Sequence, residues 1–272
     1  MYAHQVVSDL SSLINRDIHL DVKNFLTSYI NNINSCHKFH FGKINSIYSV
    51  VDKKESSIMK FYNEYKQYIK LPYNRCWIDY YYTSDNGSFK TGVYAWNDKN
   101  HIYMLPTFYI EGAWRTPMGR GLIDFKHNLC GHQFIDDEIK KMMEFKEGHE
   151  DLAVTFTRSA MFSVMTSLVL LNCKNITTQK IIPSKSLNKK REKKNKSKIF
   201  EYYILKLQFN KTEKKQKNML PLYSNRIHFC RGHFKKYTLK NPLFGKYTGL
   251  YWWQSHVRGR NKKGMIIKDY KI

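Results

Sequence analysis

Between residues 226 and 270 the chain gathers His228, Arg231, His233, Lys235, Lys236, Tyr237, His256 and Arg258 into two short runs, RIHFCRGHFKKY and LYWWQSHVRGR, joined by a Pro/Gly-bearing loop. Imidazoles among guanidinium and ammonium groups are what phosphate chemistry or phosphate binding uses. An imidazole titrates near working pH, so it can act as base and acid in turn. A cation facing phosphorus stabilises the charge that develops there. One histidine would deprotonate a ribose 2'-OH and another would protonate the leaving oxygen. The candidate catalytic set for such metal-free RNA cleavage is His228, His233, His256, Arg231, Arg258 and Tyr237. The simpler use of the same residues is a phosphate-binding hairpin whose cations hold only the backbone while the Trp pair packs inside, and the sequence favours binding over cleavage.

Strand alternation would position these groups. In the first run it puts Arg226, His228 and Cys230 on one side and Ile227 and Phe229 on the other; in the second it puts Trp252, Gln254, His256 and Arg258 together. Gly232 sits where a bulge would reset the phase and bring His228, His233 or Arg231 to a common side. Pairing of the two runs as a long-looped hairpin would then make histidines, arginine and tyrosine converge.

The whole chain is basic. Its 272 residues carry a formal charge of +24 and a pI near 9.7, which points to a polyanionic partner, nucleic acid before an anionic membrane. AT-rich coding, which favours Lys, Asn, Ile and Tyr, is the other source of such a charge. Residues 183–198 (PSKSLNKKREKKNKSK) read as a solvated basic loop between strands, and 211–217 repeat the theme. Lys189, Lys190, Arg191, Lys193, Lys194, Lys235, Lys236 and Arg260 are the expected backbone-binding cations.

Residues 1–70 read as helical, with Leu10, Leu13 and Ile14, then Phe25, Tyr29, Ile30 and Ile33, then Ile58, Phe61, Tyr62 and Tyr65 at one-face spacing. His37 and His40 read as surface residues there. From Cys76, three aromatic and β-branched runs joined by turn chemistry read as an antiparallel meander, whose aromatics serve either base stacking or the core. Residues 112–130 read as a glycine-punctuated loop, and Asp136, Asp137 and Glu138 open a helix. Residues 150–173 form the most apolar helix, expected at the centre against the sheet. The fold class is therefore α+β, with N-terminal helices (1–70), a mainly antiparallel sheet, a central apolar helix and a C-terminal long-looped β-hairpin, the hairpin module (226–270) belonging to an α+β domain over 71–272.

The five cysteines are scattered and odd in number, which points to a reducing compartment. The N-terminus lacks the pattern of a secretory signal, and the apolar stretch 160–171 is shorter than the ~20 residues of a bilayer span. A cytoplasmic protein without a membrane partner follows. His228, Cys230 and His233 with Cys130 and His132 match no common zinc spacing; no GxxxxGK[ST] or GxGxxG is present. No metal or cofactor is expected.

The segments LLNCKN (170–175), LNKKREKK (187–194) with FEYYIL, and HFCRGHFKKY…LFGKYTGLYWW…HVRG…KDY resemble a family of uncharacterised proteins from bacteriophages and prophages. The resemblance covers roughly residues 150–272. It implies a phage or mobile-element origin and the cytoplasm of a bacterial host, and motivates a further reading in which the chain is a non-enzymatic inhibitor whose partner is a host protein. It carries no catalytic residue to this chain.

Overall fold

The structure, a computed structural model, describes residues 1–44, 55–84, 87–116, 119–134, 149–208 and 228–258. The acidic helix start at 136–138, the basic tract 211–217, Arg226, Arg260 and the segment GMIIKDYKI lie outside the described residues.

A mixed sheet of nine strands forms the middle layer. The strands are β1 (His37–Lys43), β2 (Arg75–Ser84), β3 (Gly87–Asp98), β4 (His101–Ile110), β5 (Ala113–Arg115), β6 (Gly119–Asp124), β7 (Leu129–Phe134), β8 (Ile176–Ile181) and β9 (Tyr202–Leu207), in the order β7-β6-β4-β3-β2-β1-β9-β8 with β5 alongside β4. The expected meander is β2-β3-β4, antiparallel throughout. Residues 112–130, expected as loop, instead form β5, β6 and the start of β7; in GRGLID the glycines and Ile123 alternate inward while Arg120 and Leu122 are half-buried, with Ile123 opposite the buried Ile102 of β4. The largest departure is β1. It pairs in parallel with β2 on one side and β9 on the other, in the middle of the sheet, although it falls within the stretch read as helical. Seven residues of HKFHFGK are too few to show a helical period, and β pairing across the sheet overrides local propensity.

Alternation in β2 sorts the two faces. Cys76, Ile78 and Tyr80 join one core, and Trp77 joins the other. On the Trp77 face lie α1 (Ala3–Ile14) and α2 (Leu20–Ser35), which bury Val6, Leu10, Leu26, Tyr29, Ile30 and Ile33. The buried Lys38 side chain closes α2 by donating to the Cys36 and Asn34 carbonyls at 2.7 and 3.2 Å, a cation at the negative helix end. The indole of Trp77 crosses Gly92 so closely that a Cβ there would lie 2.0 Å from the ring; only glycine fits.

On the opposite face lie α3 (Glu55–Tyr65) and α4 (His149–Leu171). As expected, α4 is central: Val164, Met165, Leu168 and Val169 are all fully buried. Its hydroxyls are tolerated there because Ser163 and Thr166 donate back to the Ser159 and Phe162 carbonyls, both at 2.9 Å. The apolar window runs from Val154 to Leu171, 18 residues rather than the twelve read from sequence, long and apolar enough to cross a membrane by length and composition; two-thirds of it is buried in this fold.

Residues 183–198, expected as a solvated loop, contain α5 (Lys185–Glu192), started by Ser184, whose hydroxyl accepts from the Leu187 amide. Asn188 clasps Ile199 through both of its amide atoms. Capping and this clasp hold the basic segment where composition alone suggested no structure.

Candidate nucleic-acid interface

The C-terminal ribbon consists of β10 (His228–Cys230), β11 (His233–Tyr237), β12 (Gly249–Trp253) and β13 (His256–Arg258), with β10 antiparallel to β13 and β11 to β12. The two runs thus pair as the long-looped hairpin that the alternation predicted. Its tip is a turn in which Leu243 and Tyr247 exchange backbone hydrogen bonds, with Phe244 and Gly245 at positive φ.

The register is continuous from His228↔Arg258 through Phe234↔Trp252 to Tyr237↔Gly249. No residue is inserted at Gly232, so the expected bulge is absent. That glycine serves another purpose: a Cβ on it would stand 2.8 Å from the Trp252 ring. Without a phase reset, even-numbered positions stay on one face. Phe234, Leu250 and Trp252 are buried on the core formed with Phe61 and Tyr65. Asn175 fastens this face to the body: its side-chain amide donates to the Trp252 carbonyl at 2.8 Å and its oxygen accepts the Trp252 amide at 3.0 Å, while the Lys174 amide donates to the Leu250 carbonyl.

The odd-numbered face turns outward. His233 and Lys235 are exposed, and the ammonium of Lys235 lies 5.0 Å from the centre of the Tyr237 ring, which meets Tyr251 edge-on at 5.6 Å. Arg231 is exposed as well; Lys236 has the other parity, opposite Leu250, and is exposed near the end of its strand, as are Lys240 and Lys246 in the connecting loop. Trp253, opposite His233, keeps a buried indole N–H without a partner. Residues 228–258 contain no Asp or Glu at all, so none of these cations has a carboxylate within the ribbon.

The imidazoles are not all neighbours. His233 and His256 lie on opposite faces and three register steps apart, which is roughly 10 Å along a strand. His228 shares the parity of His256, opposite Arg258 and diagonal to it across the Cys230↔His256 pair; the side chains of His228 and Arg258 lie outside the described residues. Both described imidazoles are held by their own backbone, His233 Nδ1–H to the Arg231 carbonyl and His256 Nδ1–H to the Gln254 carbonyl, each at 3.0 Å. A carbonyl only accepts, so Nδ1 carries the proton and Nε2 keeps the lone pair in the neutral ring.

The remaining predicted cations are elsewhere. Lys189, Lys190 and Arg191 occupy the last turn of α5, followed by the exposed Lys193 and Lys194. Arg191 Nε donates to the Ser197 carbonyl at 2.8 Å, and Lys198 pairs with Glu192 at 2.7 Å. Phe200, just beyond this segment, packs with the α1/α2 core, whereas the ribbon packs with the α3/α4 core. The two basic regions therefore serve opposite faces of the sheet.

Sequence reading missed a polar node on the α1 face. His40 and Asp79 are register partners in β1 and β2, and a bulge follows His40 with Gly42 at φ 67°. Asp79 is fully buried and accepts from His40 Nδ1 at 2.5 Å, Trp77 Nε1 at 2.9 Å and the Tyr2 amide at 2.7 Å. His40, read as a surface residue, is in fact a half-buried ligand of this carboxylate. Beside it His4 is buried with Nδ1 unpartnered; burial first, then the Arg191 charge, pushes its imidazole down to about 4. The only signal for this node in the sequence was a histidine and an aspartate centred in two short apolar runs. A second aspartate, Asp124, closes the β6–β7 turn by accepting from the His127 ring and the His127 and Lys126 amides, and the His127 bond holds its carboxyl well below the usual range.

Among the described residues no group of three His, Cys, Asp or Glu side chains could hold a metal ion, and the Cys130 thiol lies against Met59 Sδ at 3.1 Å. Set against models of protein families, against curated proteins and against solved structures, the chain matches none of them.

Proposed function

We propose that the outward face of the C-terminal ribbon binds nucleic acid as a single strand, RNA or single-stranded DNA. The observation that carries this reading is the carboxylate-free run 228–258, in which exposed Arg231 and Lys235 share the outward parity with Tyr237, Tyr251 and Trp253, and exposed Lys240, Lys246 and Tyr247 follow in the connecting loop. Cations track the phosphate backbone and aromatic rings stack on bases without regard to sequence. The resemblance of residues 150–272 to phage and prophage proteins extends the proposal to a phage-derived protein acting in the cytoplasm of a bacterial host.

Fluorescence anisotropy with labelled single-stranded oligonucleotides tests it. Affinity should fall linearly on a log-log plot as salt rises, with a slope of about 0.7 for each phosphate contact. Absence of binding at low salt overturns the proposal.

Metal-independent RNA cleavage is the second reading, favoured by the ring Nδ1–H bond that leaves Nε2 of His256 as the basic nitrogen. In this reading His228, diagonal to His256 and of the same parity, is the second imidazole. RNA incubated with chelator should be cut, and both His228→Ala and His256→Ala should lose activity; undiminished cleavage in either variant rejects this pair.

A further inference from the structure

Two grooves open on the sheet face that carries the ribbon. The first, about 880 Å³, is bordered by Lys66, Lys70 and Lys99 with Asn74 and Asn97 over an apolar floor of Ile69 and Ile102. The second, about 750 Å³, runs between Tyr73, Tyr203, Asn172 and Thr178 over Phe39. Lys70 and Leu71 line both, so the grooves are adjacent at these residues. Each has the size of a pocket that takes one compact organic ligand, and no carboxylate lines either. The first is bordered by ammonium groups, amides and apolar floor, a chemistry suited to phosphate and base edge.

The second groove has aromatic walls held in place by other rings. Tyr73 stacks on His37 at 3.6 Å with the planes 15° apart, and Tyr203 stacks on Phe39 at 5.1 Å. Tyr73 remains 39% exposed, so a base can reach it. This groove ends on Asn172, Ile176 and Thr177, flanking Lys174 and Asn175, the two residues that fasten the ribbon.

We propose that a single nucleic-acid strand bound by the ribbon continues over these adjacent grooves, with Lys66, Lys70 and Lys99 on its phosphates and Tyr73 beneath a base. This rests on the reading of the ribbon as a single-strand surface. It assigns the protein two contact regions on one face, so affinity should grow with strand length until both are covered, as the second engagement becomes intramolecular.

The test compares labelled oligo-uridylates of 6 and 20 nucleotides on the full chain. Lys66→Glu/Lys70→Glu should weaken the 20-mer at least tenfold while the 6-mer, held by the ribbon, changes less than threefold. Because that pair also removes the Lys66–Asn128 bond, the Tyr73→Leu variant provides the second measurement, together with photo-crosslinking of 5-iodouracil oligonucleotides, which should label the peptide containing Tyr73. Tight 20-mer binding that neither variant alters, with crosslinks confined to residues 228–258, overturns the groove and leaves the ribbon standing. No binding of either oligonucleotide by the parent overturns both.

Discussion

The segment 183–198, which contains α5, and the C-terminal ribbon are both basic, and by charge alone that segment is the stronger candidate for a polyanion. Their surroundings reverse that order. In that segment Arg191 gives its Nε to the Ser197 carbonyl and lies toward His4, and Lys198 pairs with Glu192, while the exposed Lys189, Lys190, Lys193 and Lys194 belong to a run without a single aromatic residue. The ribbon holds fewer cations, but they stand on a stiff two-stranded frame among aromatic rings and without a carboxylate. A cation count measures attraction at a distance; what a surface can hold depends also on what lies between the cations.

The widest gap between the two regions should appear on charge reversal. Lys235→Glu/Lys236→Glu should weaken single-strand binding more than tenfold at physiological salt and flatten the salt dependence, measured by anisotropy. Next in size is the ribbon's attachment. Asn175→Ala removes two hydrogen bonds to Trp252, each worth about 1 kcal/mol, and should speed hydrogen exchange across residues 228–258 while leaving β2 to β4 protected. The same charge change on α5, Lys189→Glu/Lys190→Glu, should move affinity less than threefold; a loss equal to that of the ribbon variant would erase the distinction.

The smallest effect concerns acid. The folded state holds the His4 imidazole near 4 against an ordinary 6.5, so the unfolded chain takes up the proton first. Stability from this group is complete above pH 6.5 and declines as pH falls toward 4. Burial is the first cause and Arg191 the second, with Asp79 opposing them. Arg191→Gln should therefore shallow the loss between pH 7 and 4.5 in denaturant titrations, whereas Lys235→Glu should not.

What was legible in the sequence follows from period and length. The helix α4 and strands β2 to β4 show their periodicity over ten residues or more, and the hairpin's two runs alternate cleanly. Strand β1 was hidden by its brevity. The fold of 183–199 depends on one serine cap and one asparagine clasp, which a charge run masks. The site was legible as an inventory and less so as an arrangement. Alternation predicted which residues share a strand face, but the role of Gly232 was misread because its requirement comes from Trp252, twenty residues away. The His40–Asp79 pair was invisible for the same reason: parallel neighbours in a sheet leave no local pattern.

The placement of β1 has a consequence for how the molecule is made. One of its neighbours, β2, follows soon after it, but the other, β9, begins only at Tyr202. At about 5–20 residues per second, a ribosome needs on the order of ten seconds to deliver that missing neighbour. Throughout that interval the nascent chain presents an open strand edge rich in phenylalanine and histidine, the kind of template on which unrelated chains pair. Yield should then depend on translation speed and on holding factors more than on the stability of the finished fold.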